Sequence, residues 1–255
     1  MTTAGYTDTH CHLYDTRGAD LSDVLAGARA AGVTTMINVG CDAATTASAI
    51  EVAATHDGIY ATAGLHPHEA KFGVDTILGY LDDPNVIAIG ECGLDYYYDH
   101  SPRDVQRTAF AAQIQLAHER QLPLVVHTRD AWSDTFDVFA AEGVPERTIF
   151  HCFTGGPDEA TRCLDLGAYL SFSGIVTFKT ATELHAAAQR CPEHRLLAET
   201  DSPYLAPVPH RGRTNRPAYV THVVEALATL RQATTESVRE STTRNARLAF
   251  PALCP

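Results

Sequence analysis

The sequence predicts an α/β fold, a (β/α)8 TIM barrel, on three observations. Short apolar runs rich in β-branched residues alternate with helical patterns along the whole chain. There are eight such runs, spaced roughly 20 to 35 residues apart, as a barrel of strand–helix units requires. A His, Asp or Glu closes most of them, and barrel chemistry sits at the carboxyl ends of the strands. The length of 255 residues suits one such domain over 1–255. A doubly wound sheet would call for a Gly-rich phosphate loop, and neither G-x-G-x-x-G nor a P-loop is present.

The elements follow in order. Tyr6–His10 reads as the first strand, followed by a helix over Leu21–Ala31 that Gly32 ends. Val33–Val39 is the second strand and Ala43–Thr55 its helix. Ile59–Gly64 runs into Leu65-His66-Pro67-His68, then a helix over Val74–Leu81 leads to Val86–Glu91. After a longer connection carrying Tyr96, Tyr97 and Tyr98, Ser101-Pro102 supplies a cap and a first-turn proline. Val105, Ala109, Phe110, Gln113, Leu116 and Ala117 lie near one face of the helix that follows. Strands five and six are Leu124–His127 and Thr148–His151, with a helix over Trp132–Glu142 between them. Pro157–Leu166 is helical, Tyr169–Ser173 is strand seven and Leu196–Asp201 is strand eight. A Pro/Arg-rich loop spans Ser202–Pro217, and helices over Ala218–Leu230 and Thr235–Phe250 complete the chain.

Composition excludes several classes of protein. The formal net charge is −12 with no basic run, the wrong sign for broad binding to duplex phosphates. Bound divalent ions can still create a local positive site. No apolar stretch reaches the roughly 18 residues of a membrane span. Residues 1–8 lack a basic region and an apolar segment, so no signal peptide is expected. Seven cysteines without framework spacing or a Cys-x-x-Cys suggest free thiols in a reducing cytoplasm.

The strand ends bring together His10 and His12, His66, Glu91, His127, His151 and Asp201. His10 and His12, at i and i+2 on a strand, share a face. With a carboxylate they can hold one divalent ion, and His127 and His151 can hold a second. Glu91, central among the strands, can bridge the two. Two ions a few ångströms apart activate a water and stabilise charge on a phosphoryl oxygen. Asp201 can ligate an ion, take the water's proton, or do both. Mixed imidazole and carboxylate donors admit Mg2+, Mn2+ or Zn2+.

Other residues leave alternatives open. His66 can bind substrate phosphate or cap the loop before Pro67, and His68 is evenly balanced. His56, His100, His118, His185, His194 and His222 fall in helices or loops and are expected to face solvent. Cys11, Cys92 and Cys152 each adjoin a candidate ligand, but period two turns them toward the helices as buried structural thiols. No G-x-S-x-G elbow offers a nucleophilic serine. Tyr96–Tyr98 can stack a base or simply pack.

With those residues in view, the chain resembles the TatD family of metal-dependent deoxyribonucleases, among the amidohydrolase-like barrels. The matching stretches are Asp8-Thr-His-Cys-His12, Gly64-Leu-His-Pro-His68, Ile89-Gly-Glu-Cys-Gly-Leu-Asp-Tyr-Tyr97 and Leu122-Pro-Leu-Val-Val-His-Thr-Arg-Asp-Ala131. They continue with His151-Cys-Phe-Thr-Gly155, Phe172-Ser-Gly-Ile-Val-Thr-Phe178, Glu199-Thr-Asp-Ser-Pro-Tyr-Leu205 and His210-Arg-Gly-Arg-Thr-Asn215. The resemblance implies divalent ions on His10, His12, Glu91, His127, His151 and Asp201. It also implies phosphodiester hydrolysis in DNA, exonuclease-like and at single-stranded ends, with roles in DNA repair and in DNA degradation in dying cells. His66 and Arg129 match phosphate-side contacts by position. A cytoplasmic monomer is the working expectation. One departure is Arg216, where the family often has an acidic residue before the last proline of this block; it bears on a loop near the mouth.

Two other readings compete. The same metal site can cleave a different ester, as in removal of a mischarged D-amino acid from tRNA. A binding protein that keeps metal only for stability is the reading from another class, and the extra Asp201 beside a complete ligand set argues against it.

Overall fold

The computed structural model describes residues 5–253. Residues 1–4, on which the signal-peptide expectation partly rests, and the seventh cysteine, Cys254, lie outside the described residues. Eight parallel strands form one sheet in sequential order: β1 (Tyr6–Cys11), β2 (Val33–Val39), β3 (Ile59–Ala63), β4 (Val86–Asp95), β5 (Leu124–Arg129), β6 (Thr148–Phe150), β7 (Tyr169–Phe172) and β8 (Leu196–Ala198). The helices are α1 (Leu21–Ala30), α2 (Ala43–Thr55), α3 (Arg103–Arg120), α4 (Trp132–Glu142), α5 (Pro157–Asp165), α6 (Thr182–Arg190), α7 (Val220–Leu230) and α8 (Thr235–Ala249). The expected (β/α)8 barrel is the observed one.

Closure falls between β1 and the chain just beyond β8. The Asp201 amide donates to the His10 carbonyl at 2.9 Å, and the His12 amide donates to that of Ser202 at 2.7 Å. Asp8 holds the same seam from inside. Its carboxyl accepts from the Thr200 amide at 2.8 Å and the Thr200 hydroxyl at 2.5 Å. The barrel interior is filled by Ile37, Val39, Ile87, Val125, Ile149, Tyr169 and Leu197. Ala246, Ala249, Phe250 and Leu253, at and just beyond the end of α8, pack into the same cluster. A second, larger cluster lies between strands and helices. The polar groups of the opposite end are thus carried on a close-packed floor.

Several expected boundaries move. In place of a helix over Val74–Leu81 there are separate 3-10 turns at Pro67–Phe72, Val74–Thr76 and Leu78–Tyr80. Gly73, at φ +85°, breaks the path between the first two. The Ser101 cap also shifts, because α3 starts at Arg103 with Pro102 at the cap position. Ser101 is instead buried, donating to the His68 carbonyl at 2.8 Å. β4 runs four residues past Glu91 to Asp95, whereas β6 and β8 stop at Phe150 and Ala198. His151 and Asp201 therefore stand in the turns after their strands. Among the described residues no helix is long and apolar enough to cross a membrane.

Asp8→Ala would leave the Thr200 amide buried without a partner, at a cost of roughly 1–3 kcal/mol. Chemical denaturation should show a loss in this range. An unchanged midpoint and slope would contradict the assigned role of Asp8 at the seam.

Candidate metal centre

Glu91 lies at the middle of the strand ends, and the backbone around it allows close approach. Gly93, at φ +128°, passes so near β5 that a Cβ there would sit 2.0 Å from the His127 carbonyl oxygen. The two oxygens of Glu91 face different histidines. Oε1 is 2.8 Å from His151 Nε2, 2.9 Å from His127 Nδ1 and 3.5 Å from His66 Nε2. Oε2 is 3.4 Å from His10 Nε2 and 4.0 Å from His12 Nε2. Asp201 Oδ1 completes the second side, 3.3 Å from His12 Nε2 and 3.8 Å from His10 Nε2.

The donor set fits divalent metal. His10 and His12 bring their Nε2 atoms to 3.3 Å, and His127 Nδ1 stands 3.2 Å from His151 Nε2. Two nitrogens at about 2.0–2.1 Å from one ion in a tetrahedral site are separated by this much. Three sets of potential ligand atoms each converge within 4.8 Å: His10, His12 and Glu91; His10, His151 and Asp201; His66, Glu91 and His127.

Hydrogen bonds behind the rings orient them. His12 Nδ1 donates to the Val39 carbonyl at 3.2 Å, His151 Nδ1 to Glu199 at 3.3 Å and His127 Nε2 to Asp95 at 3.3 Å. In each ring one proton faces away from the cluster, so the nitrogen facing Glu91 or Asp201 is the one that, once deprotonated, offers a lone pair to an ion. His10 is fixed by stacking on His151 at 3.8 Å, and its Nδ1 is buried without a partner. His66 is the reverse case. Its Nδ1 accepts from the His68 amide at 3.1 Å, so the proton of the neutral ring is on Nε2, facing Glu91. Burial lowers the His66 pKa to about 4 despite Glu91, which keeps that ring neutral near pH 7.

The remaining groups form mutual ion pairs. Burial opposes ionisation of Glu91, but His151, His66, His10 and His127 outweigh it and hold the carboxyl well below its usual range. Asp201 is likewise held low, against burial, by His12, His10 and His151. Burial also works against charge on His151, yet Glu91 and Glu199 raise it well above an ordinary imidazole. His12 is raised in the same way, against burial, by Cys41 and Asp201.

All seven strand-end groups named from the sequence thus meet at one mouth, which opens into a cavity of about 900 Å³. Arg129 and His68 line it too, and His68 Nε2 lies 3.0 Å from Asp95 Oδ2. Sequence reasoning missed Asp95, Glu199, Tyr14 and Cys41. Asp95, four residues beyond Glu91, shares its strand face, so extending β4 would have found it. Cys41 follows Gly40 at the end of β2, with Sγ 3.6 Å from Glu91 Oε2. The thiol assignment holds for Cys11 and Cys92, both buried, and fails for Cys152, which is part-exposed on the cavity wall. Period two does not reach Cys152, because β6 has ended and the residue sits at φ +40°. Solvent-facing placement holds for His100, His118 and His194, while His56, His185 and His222 are half-buried and hydrogen-bonded.

Fold and site together define a class: a TIM-barrel hydrolase built around a divalent-metal centre. A family profile described as TatD related DNase matches residues 7–251. The chain belongs to the TatD family of metal-dependent hydrolases. Over 252 residues it is 41% identical to a Bacillus subtilis (strain 168) protein named uncharacterized metal-dependent hydrolase YabD, covering 95% of this chain and 98% of that one. A Klebsiella pneumoniae (strain 342) relative named 3'-5' ssDNA/RNA exonuclease TatD is 36% identical over 246 residues, 91% of this chain and 92% of that one. The crystal structure of YJJV, a TatD homologue from Escherichia coli K12, matches with a TM-score of 0.91 at 26% identity, covering 98% and 99% of the two chains.

Raised imidazole pKa values set the sign of a pH effect. Without metal, His12 and His151 stay protonated to higher pH than free imidazole, and an ion must displace those protons. Metal affinity should fall as pH drops. Calorimetry in buffers of different ionisation enthalpy should show proton release near pH 7, and zero release would contradict the ion-paired state.

Proposed function

We propose that the protein is a two-metal deoxyribonuclease that hydrolyses phosphodiester bonds at the ends of single-stranded DNA. The observation that carries this reading is the setting of Arg129. Its guanidinium lies 4.1 Å from the ring centroid of Tyr97 and 4.8 Å from that of Tyr98, on the wall of the cavity that holds the Glu91 cluster. Tyr97 and Tyr98 are 59% and 49% exposed, and Tyr204, at the same cavity, is 45% exposed. A cation beside partly exposed aromatic rings suits a strand with unpaired bases, whose stacking is worth roughly 1–3 kcal/mol per base. The acidic surface disfavours duplex, and the name of the Klebsiella relative supports a single-stranded substrate.

In this reading His10, His12, Glu91, His127, His151 and Asp201 would hold two divalent ions, Mg2+, Mn2+ or Zn2+, with Glu91 shared. Bound there, the ions supply an activated water and stabilise negative charge on the phosphoryl oxygen. Asp201, ionised at neutral pH, takes the proton of the attacking water. His66 presents an Nε2–H, a donor for a phosphoryl oxygen, which favours substrate contact over metal ligation. Arg129 holds the neighbouring phosphate while Tyr97 and Tyr98 face the bases.

Labelled single-stranded DNA should be degraded, with activity lost in chelator and restored by Mg2+ or Mn2+. Asp201→Asn should lower kcat by roughly 10²–10⁴-fold while most metal is retained. A near-normal rate would remove Asp201 as the base. Metal-replete protein that leaves DNA intact but deacylates D-aminoacyl-tRNA would overturn the reading in favour of ester cleavage.

Arg129→Gln should raise KM for single-stranded DNA by about tenfold, with little change in kcat. An unchanged KM would remove Arg129 from substrate recognition.

A further inference from the structure

A second pair of histidines meets away from the catalytic mouth. His210, in the segment between β8 and α7, brings its Nε2 to 3.2 Å from Nε2 of His222 in α7. The His210 ring lies flat on Tyr219, with centroids 3.8 Å apart and planes 3° from parallel. On the other side, His222 Nδ1 donates to Glu225 Oε2 at 3.1 Å. That bond leaves the lone pair of His222 on Nε2, facing His210. A carboxylate behind an imidazole is also the usual support of a ligating histidine.

We propose that His210 and His222 form a separate binding site for one borderline transition cation, Zn2+, Ni2+ or Cu2+. The 3.2 Å separation equals that of two imidazole nitrogens about 2.0–2.1 Å from one tetrahedral ion. In the metal-free pair one proton bridges the two nitrogens. On binding, His210 carries its proton on Nδ1, and both Nε2 lone pairs turn to the ion. Water fills the remaining positions, reached from an open groove of about 540 Å³ lined by His222, Glu225 and His185. Mg2+ is excluded by class, since it prefers an oxygen shell.

The site joins two parts of the fold. The segment that carries His210 also carries Tyr204 at the catalytic cavity, and Asn215 anchors it by donating to the Tyr204 and Thr200 carbonyls. A cation at His210 and His222 ties this segment to α7. Neither residue lines the catalytic cavity.

The test is metal content after equilibrium dialysis against Zn2+, comparing wild type with His210→Gln and His222→Gln. Each variant should hold one equivalent fewer than wild type, with unchanged circular dichroism and unchanged Mg2+-supported activity. Glu225→Gln should weaken this equivalent by roughly 10-fold or more. Wild-type crystals soaked in Zn2+ should show an anomalous peak between the two rings, a reading that needs no variant to fold. Equal zinc in all three proteins, or no peak between the rings, would overturn the proposal.

Discussion

The structure depends on one buried carboxylate divided between two groups of histidines. Glu91 is central in the barrel mouth, and each of its oxygens faces a different strand set. An isolated carboxylate at this depth would be neutral or would destabilise the fold. His151 beyond β6 and His127 from β5 keep it charged, helped by a hydrogen bond from His10 of β1, and Glu91 in turn favours the charge on His151 and His127. Removing either partner leaves an uncompensated buried group, so the cluster acts as a unit.

A further layer of acids supports the rings. Glu199 and Asp95 stand behind His151 and His127 and fix which nitrogen carries the proton. Asp8 ties the chain beyond β8 to β1 through Thr200, which sets His10 and Asp201 side by side at the closing seam. The same contacts that close the barrel therefore align the chemistry. The apolar floor of Ile37, Ile87, Val125, Leu197 and Phe250 lets the polar mouth be built on rigid strands.

Much of this was legible in the sequence. Alternating apolar runs and helical patterns gave eight strands, and reading their carboxyl ends gave the seven groups that meet at the mouth. Period-two spacing carried on from β1 was enough to pair His10 with His12, one residue past the strand's end at Cys11. The same rule failed two residues past the end of β6, at Cys152. The segment expected as a helix over Val74–Leu81 forms two short 3-10 turns that break at Ile77. Glu199 was passed over because a carboxylate behind an imidazole has no local pattern, and Asp95 because β4 was read as ending at Glu91. Tautomers and pKa directions are likewise properties of neighbours in space, and composition carries no trace of them.

On the proposed function, Glu91 would be shared by two ions. Electron paramagnetic resonance of protein loaded with two equivalents of Mn2+ tests it most directly. A shared carboxylate predicts an exchange-coupled multiline spectrum in the wild type, replaced by the signal of isolated ions in Glu91→Gln. A wild-type spectrum of isolated Mn2+ at full loading would contradict it.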